Sequence, residues 1–536
     1  MDDEAVAEKS KAWWHVSVKL EKFIFAVIIV SSLFLVFLFG SKSGSSLFLF
    51  QATDKWIGGQ DKLLGGLLSP DFDERSCIAR YKSSFYRKPS LFEVSPYLVQ
   101  RLREYEKYHK KCGPNSEFYK IAIEQLKSGR NVENTECKYA VFAQGNGLGN
   151  RMLAIVSTFL YSILTNRILI VEMKEETKNI FCEPFPESSW ELPSDFPIKD
   201  LEWKFQRESP ESFINLLENR SISLDANVSA ESFPPFVFFD AWSNAWHVHG
   251  RIFCEDHQKI VQKFTWMITK SDCYYAPALF LYPEFENELR LMFPVKEAMF
   301  HHLGRYLFQP TNPVWEMIER FHQTYLTNTD EKIGLQIRIV SYDAPPFEKV
   351  YERIIECSEK EKLLPEIGIS NLTNSVSNPT KRTSVLVISL FSEYYEKIKS
   401  TYYENSTVTG ELVSVFQPTH ELAQNTFAQF HNQKALAEMY LLSYCDKIAT
   451  TAMSTFGYIA HGLAGLKPYI LMTLNWQIAK PGPVCVQSKS VEPCLHSPPF
   501  PMCKPNTRVD PAEAVPYLRT CEDFDNGVKL FDEVSN

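Results

Sequence analysis

The chain has 536 residues, of which 45% are hydrophobic and 14% aromatic, and its formal net charge is −9. This acidic balance, without a basic stripe, argues against nucleic acid as a partner. A chain of this length is too large for one hydrophobic core and predicts two domains.

The first part of the chain has the organisation of a membrane anchor. Residues 23–40 carry no charge and are long enough to span a bilayer, and Lys19 and Lys22 precede them. A cleaved signal peptide is the alternative, but its apolar core would be unusually long and no clear Ala-x-Ala site follows. We therefore expect a cytosolic tail at 1–22, a signal anchor at 23–40, a stem at 41–75 and the bulk of the chain in the lumen.

A strand, a glycine-rich turn and a helix are predicted to follow one another after the stem. They are the strand Lys138 to Phe142, the turn Gln144 to Arg151 and the apolar helix Met152 to Leu164. Such a turn presents amide N–H groups and the positive end of a helix dipole to an anion. The candidate ligand-binding residues of the turn are Gly147, Asn150 and Arg151.

The same segment leaves an alternative open. The turn does not match Gly-x-Gly-x-x-Gly, because Asn150 stands where the third glycine would fall. Glu172, at the end of the next predicted strand Ile168 to Val171, could still serve as the ribose-binding acid of a dinucleotide fold. An NAD-dependent oxidoreductase is therefore a competing interpretation.

Four Asn-x-Ser/Thr sequons predict N-glycosylation on lumenal loops. They begin at Asn219, Asn227, Asn371 and Asn405. The aromatic run Phe233 to Trp242, between the second and third sequons, is more typical of a buried core than of a sugar-binding surface.

The segment Ile333 to Val340 predicts a buried strand that carries one charged residue, Arg338. Because side chains alternate along a strand, Gln336 and Arg338 point to one face and the apolar residues to the other. A guanidinium is costly to bury unless an anion pairs with it. That anion is either an internal Asp or Glu, or the phosphates of a nucleotide, for which arginine geometry is well suited.

A second strand, turn and helix is predicted in the last third of the chain. The strand Lys447 to Thr451 precedes the turn, and the helix Ile459 to Leu466 and the strand Tyr469 to Thr473 follow it. Hydroxyl groups at this helix start are either plain N-caps or phosphate ligands. The candidate ligand-binding residues are Ser454, Thr455 and Phe456. Two such units suggest two nucleotide-fold lobes.

All twelve cysteines follow residue 76, which is typical of an oxidising compartment. Those near the C-terminus form no Cys-x-x-Cys pair, so disulfides that fix the tail are favoured over a zinc site. The chain has two Asp-x-Asp sequences, Asp71-Phe-Asp73 and Asp523-Phe-Asp525, at its edges. We interpret them as surface acids and predict no metal site.

Several motifs are shared with one known family. They are Asp61 to Leu68, Gly147 to Arg151, Phe181 to Pro186, His301 to Phe308, Ile333 to Val340, Ala435 to Tyr440, Ser454 to Tyr458 and Glu492 to Cys494. With these motifs the chain resembles the plant xyloglucan-type fucosyltransferases, which add fucose to cell-wall polysaccharides and arabinogalactan glycoproteins. The resemblance covers nearly all of the predicted lumenal part.

The resemblance implies an α/β, GT-B-like fold, in which two Rossmann-like lobes face a cleft, behind an N-terminal transmembrane helix. The expected boundaries are an amino lobe at 76–327 on the acceptor side, a carboxyl lobe at 328–480 that binds GDP-fucose, and a Cys- and Pro-rich tail at 481–536 that folds back. The implied enzyme is an inverting fucosyltransferase of the Golgi membrane that needs neither metal nor other cofactor. Its expected partners are GDP-fucose, a cell-wall polysaccharide or glycoprotein glycan, and the membrane, and homo-oligomerisation stays open.

The resemblance also suggests roles for residues. Arg338 would neutralise the departing diphosphate together with Gln336 and the turn at Ser454 to Phe456, and Asp272 would be the general base. A loop-capping role for Asp272 is the alternative. The segment Phe233 to Trp246 would carry the acceptor surface. A lumenal glycan-binding or scaffolding homologue without turnover is the second class of function that stays open.

Overall fold

The computed structural model describes residues 61–132, 135–206, 208–225, 227–241, 250–339, 344–368, 381–498 and 515–532. The chain divides into two units, Met1–Asp61 and Lys62–Asn536, and the described sheets lie in the second. The predicted membrane span at 23–40 lies outside the described residues. In the part that is described, no helix is both long and apolar enough to cross a membrane.

Four parallel strands form the sheet of the amino lobe. They are β1 (Tyr139–Ala143), β2 (Ile168–Val171), β3 (Phe236–Ala241) and β4 (Trp266–Ser271), in the order β2-β1-β4-β3. Nearly all their residues are buried, as in a sheet covered by helices on both faces, which explains their continuous rather than alternating apolar sequences.

The amino lobe also contains helices of different lengths. They are α1 (Ile78–Lys82), α2 (Pro96–Cys112), α3 (Glu117–Lys127), α4 (Leu148–Leu164), α5 (Leu201–Lys204), α6 (Phe213–Glu218), α7 (Glu255–Val261), α8 (Ala276–Leu279), α9 (Pro283–Met292), α10 (Met299–Leu307) and α11 (Asn312–Phe321), which a π-helical turn, His322–Leu326, extends. Almost the whole of α4 is buried, since it packs against the sheet on one side and against helices on the other.

Six strands form the sheet of the carboxyl lobe. They are β5 (Glu331–Ile337), β6 (Arg382–Ser389), β7 (Leu412–Phe416), β8 (Lys447–Thr451), β9 (Tyr469–Leu471) and β10 (Cys485–Gln487), in the order β10-β9-β8-β5-β6-β7. All neighbours are parallel except β10, which runs antiparallel to β9. The helices are α12 (Phe347–Glu361), α13 (Ser392–Glu404), α14 (Gln429–Ser443), α15 (Thr455–Ala464) and α16 (Asn475–Ala479).

Three helices join the two lobes. α15 packs against α4 and α10, so one hydrophobic core is continuous from the amino lobe into the carboxyl lobe. Gly462 in α15 lies directly against the ring of Phe300 in α10, where a side chain would collide with the ring. The two lobes are therefore held in close contact by apolar packing next to the cleft.

The described part of the tail folds back onto both lobes. β10 adds a strand to the carboxyl-lobe sheet, and Glu492 accepts hydrogen bonds from the Tyr274 hydroxyl (2.7 Å) and the Phe300 amide (2.6 Å) of the amino lobe. The hairpin β11 (Leu518–Thr520) and β12 (Val528–Leu530) follows.

Disulfides reinforce this arrangement. Cys357–Cys485 joins α12 to β10, and Cys494–Cys521 closes the tail on itself. The sequence predicted disulfides in the tail but not their pairing. In the amino lobe the bonds are Cys77–Cys182 and Cys112–Cys137, and Cys254 is also disulfide-bonded. Cys273 and Cys445 are buried, and neither is joined in a disulfide.

The strand β3 corrects one expectation. Val237, Phe238 and Phe239 are buried in the amino-lobe core, and Phe233 packs against Phe264. The core interpretation of this aromatic run is confirmed for Phe233 and for Val237 to Ala241, and these buried residues do not form an acceptor surface, whereas Phe236 is half-buried. The rest of the proposed acceptor segment, residues 242–246, lies outside the described residues.

Candidate active site

A cavity of about 610 Å³ opens between the two lobes. Its walls include Gly147 to Asn150 at the start of α4, Gln336 to Arg338 at the end of β5, and Ser454 to Phe456 at the start of α15. The ends of parallel strands and the N-termini of the following helices are where α/β folds bind their ligands. Three segments that the sequence singled out separately thus meet at one place.

Arg338 follows β5 directly and is half-buried. Its Nη2 donates to Gln424 Oε1 (2.6 Å), and its backbone N–H donates to Thr451 Oγ1 (3.0 Å). Among the described residues, no carboxylate lies within ion-pairing distance of the guanidinium, and burial lowers its pKa from the ordinary value. The internal salt bridge that would explain a buried arginine is therefore not formed in this part of the chain, and the cation is left available to a bound anion.

Two helix N-termini point toward the same cavity. Gly147 is the N-cap of α4 and Ser454 that of α15, where Ser454 Oγ accepts from the Gly457 N–H (3.4 Å). Ser454 is therefore an N-cap, which is one of the two predicted roles, and it also lines the cavity. Helix α4 starts at Leu148, four residues before the predicted start, because the turn itself supplies the first helical residues. The positive ends of two helix dipoles add to the charge of Arg338.

Both turns contain a strained residue directly before the N-cap. Asn146 has φ 62° and Met453 has φ 58°, in the left-handed region that non-glycine residues rarely adopt. Such strain is concentrated at ligand-binding sites, where the surrounding structure holds it. The two turns are therefore alike in backbone as well as in position.

Asn150 connects the two lobes across the cavity. Thr455 Oγ1 donates to Asn150 Oδ1 (3.0 Å), and Asn150 Nδ2 donates to the backbone oxygen of Asp272 (2.8 Å). Gly149 lies close enough to Thr455 that a Cβ on it would come within 2.9 Å of Oγ1. Asp272 itself is half-buried and is not part of the cavity wall, so its role as a base stays a prediction.

Arg151 and Glu172 do not have the positions that the sequence suggested. Arg151 is buried behind the turn, where its Nη2 forms an ion pair with Glu176 Oε1 (3.1 Å). Its charge is thus already paired inside the protein, and its direct role in donor binding stays a prediction. Glu172 Oε1 accepts from the Leu201 N–H (3.2 Å) and is also absent from the cavity wall. The ribose-binding acid of an NAD enzyme is therefore not present at this position.

Gln336 has the predicted orientation. It is buried, lines the cavity beside Arg338, and its Oε1 accepts from Thr451 Oγ1 (3.5 Å). The alternate residues Leu335, Ile337 and Ile339 belong to the hydrophobic core of the carboxyl lobe.

Sequence reasoning missed one wall of the cavity. The segment between β7 and α14, and α14 itself, contribute Glu421, Gln424, Thr426, His431, Lys434 and Glu438. Glu438 is only 8% exposed, accepts from Thr419 Oγ1 (2.5 Å), and burial raises its pKa to about 7. Glu438 could have been found from the sequence, because it is a single carboxylate inside the apolar run Ala435 to Leu442. Nothing in the sequence around Gln424 indicates a role in the site.

The tail also reaches the cavity. His496 and Phe524 line it, and the His496 Nε2 lies 2.9 Å from the Tyr458 hydroxyl. Tyr458 also donates to Asp523, which accepts from the Met453 N–H (2.9 Å) as well. Asp523 is 2% exposed, so its interpretation as a surface acid is wrong; its hydrogen bonds explain how a carboxylate is buried there.

The other acids of the two Asp-x-Asp sequences, Asp71, Asp73 and Asp525, are exposed as predicted. Asp523 does lie near Cys494 and Cys521 in a grouping with the dimensions of a metal site. However, the two sulfur atoms are joined in a disulfide and therefore cannot act as thiolate ligands.

Comparisons with known proteins agree with this geometry. A sequence model of the family described as xyloglucan fucosyltransferase matches residues 51–504. The chain is 44% identical over 473 residues to a galactoside 2-alpha-L-fucosyltransferase of Pisum sativum, covering 88% of this chain and 82% of the relative. It is 45% identical over 474 residues to one of Arabidopsis thaliana, covering 88% and 83%.

A solved structure shares the fold. A mutant of Arabidopsis thaliana FUT1 in complex with GDP superposes with a TM-score of 0.80 at 44% identity, covering 88% of this chain and all of that one. The fold and cavity are those of a glycosyltransferase that uses a nucleotide-activated sugar. The chain belongs to the xyloglucan fucosyltransferase family.

Proposed function

We propose that the protein transfers L-fucose from GDP-fucose to a hydroxyl group of a galactoside, with an α-1,2 linkage, in a GT-B-like cleft. The observation that carries the proposal is the half-buried Arg338, which has no carboxylate partner among the described residues and faces two helix N-termini. Relatives named as galactoside 2-alpha-L-fucosyltransferases support the sugar and the linkage.

The donor would lie with its diphosphate at Arg338 and at the starts of α4 and α15. Bidentate contact from a guanidinium, together with helix-terminal amides, is well suited to phosphate oxygens. Glu438, farther along the same wall, is suited to bind the guanine ring of the nucleotide. Guanine presents N–H donors on its Watson–Crick edge, which a carboxylate accepts, whereas adenine presents an acceptor at the corresponding ring nitrogen. The wall therefore favours GDP over ADP.

In the transfer step, the acceptor oxygen forms a bond to the anomeric carbon while the bond from that carbon to the phosphate oxygen breaks. Attack from the opposite side inverts the configuration, from β in the donor to α in the product. The electron pair leaves with GDP, where Arg338 and the helix dipoles stabilise the developing charge. The acceptor proton passes to a base, and we propose the Asp272 carboxylate for this role. No metal is assigned a role, so activity should survive EDTA.

The acceptor would reach the cavity along an apolar rim of the carboxyl lobe. Phe427, just before α14, and Phe430, in its first turn, are 74% and 59% exposed, and Trp476 lines the cavity. Thr426 and His431, their neighbours in the sequence, line the cavity, so the two exposed rings lie near it. Aromatic faces of this kind stack on the C–H faces of sugars, so they suit a polysaccharide or a glycoprotein glycan.

We also propose that the protein is a single-pass type II membrane protein of the Golgi, with these lobes in the lumen. The disulfides and the exposed sequon residues Asn219, Asn227 and Asn405 support a lumenal environment, whereas Asn371 lies outside the described residues. Protease treatment of sealed microsomes should leave the chain from the stem onward intact. Digestion of the lobes in sealed vesicles would refute this topology.

The central test is transfer from labelled GDP-fucose to an array of galactose-terminated acceptors. Formation of an α-1,2-fucosylated product, together with slow hydrolysis of GDP-fucose when no acceptor is present, is the expected result. A chain that binds neither GDP nor GDP-fucose, yet retains glycan binding, would support a scaffolding role instead.

A further inference from the structure

Gln424 connects the two segments that would hold the diphosphate. Its Oε1 accepts a hydrogen bond from Arg338 Nη2 (2.6 Å). Among the described residues, Gln424 is the hydrogen-bond partner of the Arg338 guanidinium. Its Nε2 lies 2.9 Å from the point where a Cβ on Gly147 would stand. The side chain therefore spans from the end of β5 to the turn before α4, through the middle of the proposed phosphate site.

The segment that carries Gln424 is attached to α14 on both sides of it. The Asn425 N–H donates to His431 Nε2 (3.3 Å), and Asn432 Nδ2 donates to the Thr426 carbonyl (2.9 Å). Before Gln424, Glu421 forms an ion pair with Lys434. With the backbone held at these points, the contact with Arg338 can be made or broken by rotation of the Gln424 side chain alone, without movement of the lobe.

The contact is of a kind that a phosphate can replace. An amide oxygen is a neutral acceptor, so its bond to a guanidinium is weaker than one from a doubly charged diphosphate. Arg338 nevertheless keeps a partner while it is half-buried, which reduces the cost of desolvating an unpaired charge.

We propose that Gln424 is a positioning residue that competes with the diphosphate for Arg338, and so promotes release of GDP after transfer. While the donor is bound, the guanidinium contacts phosphate oxygens and Gln424 turns aside. When GDP leaves, Gln424 takes back the Nη2 hydrogen bond. This inference rests on the proposed binding of GDP at Arg338.

The test is the affinity of the full-length chain for GDP, measured by calorimetry for the natural sequence and for two variants. Gln424→Ala removes the competitor and should tighten GDP binding by about threefold to tenfold, with stronger product inhibition by GDP in the transfer assay. Gln424→Glu replaces the amide with a carboxylate that pairs with Arg338, and should weaken GDP binding at least about tenfold.

Gln433→Ala is the matched control. Gln433 lies on α14 near the same segment, donates to the Asn179 carbonyl (3.3 Å), is half-buried and does not line the cavity. The GDP affinity and the thermal stability of the Gln433→Ala variant should equal those of the natural sequence.

The outcomes separate this inference from the proposed function. If the natural sequence does not bind GDP, both fail. If it binds GDP but Gln424→Ala weakens binding, Gln424 is a donor ligand and not a competitor. If both variants stay within about twofold of the natural sequence, the contact has no part in release, and the proposed function is unaffected.

Discussion

Thr455 and Asn150 are 305 residues apart in sequence, and their side chains form a hydrogen bond of 3.0 Å across the cleft. One belongs to the first turn of α15 and the other to the first turn of α4. The second hydrogen bond of Asn150, to the backbone of Asp272, extends this link to the loop after β4. The two helix starts and the proposed base loop are thus fixed relative to one another before any ligand binds.

Arg338→Lys should lower transfer activity by about 100-fold or more, although the positive charge is kept. A lysine is a single donor group and cannot reproduce the planar fork that contacts two phosphate oxygens. Initial rates with saturating acceptor, together with GDP affinity, measure the effect. Arg382→Lys at the exposed start of β6 is the matched control and should keep normal rates. Near-normal turnover of a folded Arg338→Lys protein would refute the assignment.

Asp272→Asn tests the base separately from the donor site. The substitution keeps the shape of the side chain and the backbone bond from Asn150, but removes the ability to accept a proton. Turnover should fall by about 100-fold to 10,000-fold, while GDP affinity is unchanged. Asp195→Asn, at an exposed aspartate, is the control. If Asp272→Asn keeps most of its turnover, Asp272 is a structural cap and the reaction proceeds without a carboxylate base.

GDP binding should depend on the ionisation of Glu438. Burial raises its pKa to about 7, and only the charged form accepts both guanine donors. Below about pH 7 the carboxyl is protonated, so affinity for GDP should rise with pH and level off above pH 7 to 8. Glu438→Gln should bind GDP about tenfold to 100-fold more weakly, lose this pH dependence and discriminate less against ADP. Calorimetry with GDP and ADP at three pH values measures these effects. If Glu438→Gln keeps the selectivity for GDP over ADP, Glu438 does not bind the guanine ring.

Glu492 predicts a pH dependence of stability. Burial raises its pKa from the ordinary 4.5 to about 8, so the folded protein holds a proton there that the unfolded chain releases. This contribution to stability is complete below pH 4.5 and is lost as pH rises to about 8, with a slope of up to about 1.4 kcal/mol per pH unit.

Glu492→Gln removes this titration and keeps the shape of the side chain. Its melting temperature should therefore fall less between pH 5 and pH 8 than that of the natural sequence, as measured by calorimetry in buffers of equal ionic strength. Parallel pH profiles for the two proteins would show that Glu492 does not hold the proton.

The parts of the site that lie on regular strand-turn-helix units could be predicted from the sequence. The predicted bounds of strand β8 agree with the structure, and the charge of Arg338 in an apolar run predicted its importance, although β5 ends at Ile337, one residue before it. The helix α15 was expected to end at Leu466, but it ends at Ala464 because Gly465 adopts φ 69°. Local composition and alternation were sufficient for these elements, since each is stabilised within one short segment.

Other residues depend on packing between distant segments, which local patterns do not contain. Gln424 is near Arg338 only because the chain between β7 and α14 crosses the carboxyl end of the sheet. Glu176, the partner of Arg151, comes from a loop beyond β2. The donors to Asp523, which are Met453 and Tyr458, come from the turn after β8 and from α15. In each case the sequence shows a polar residue but not its partner.

The attachment of the tail to both lobes limits when the protein can complete its folding. Strand β10 and the bond from Cys485 back to Cys357, 128 residues earlier, complete the edge of the carboxyl-lobe sheet, and Glu492 then contacts the amino lobe. The packing of both lobes is therefore complete only when this C-terminal segment is in place. Truncation before residue 485 should therefore yield chains that fail to fold, rather than shortened enzymes with partial activity; the yield of soluble protein on expression measures this.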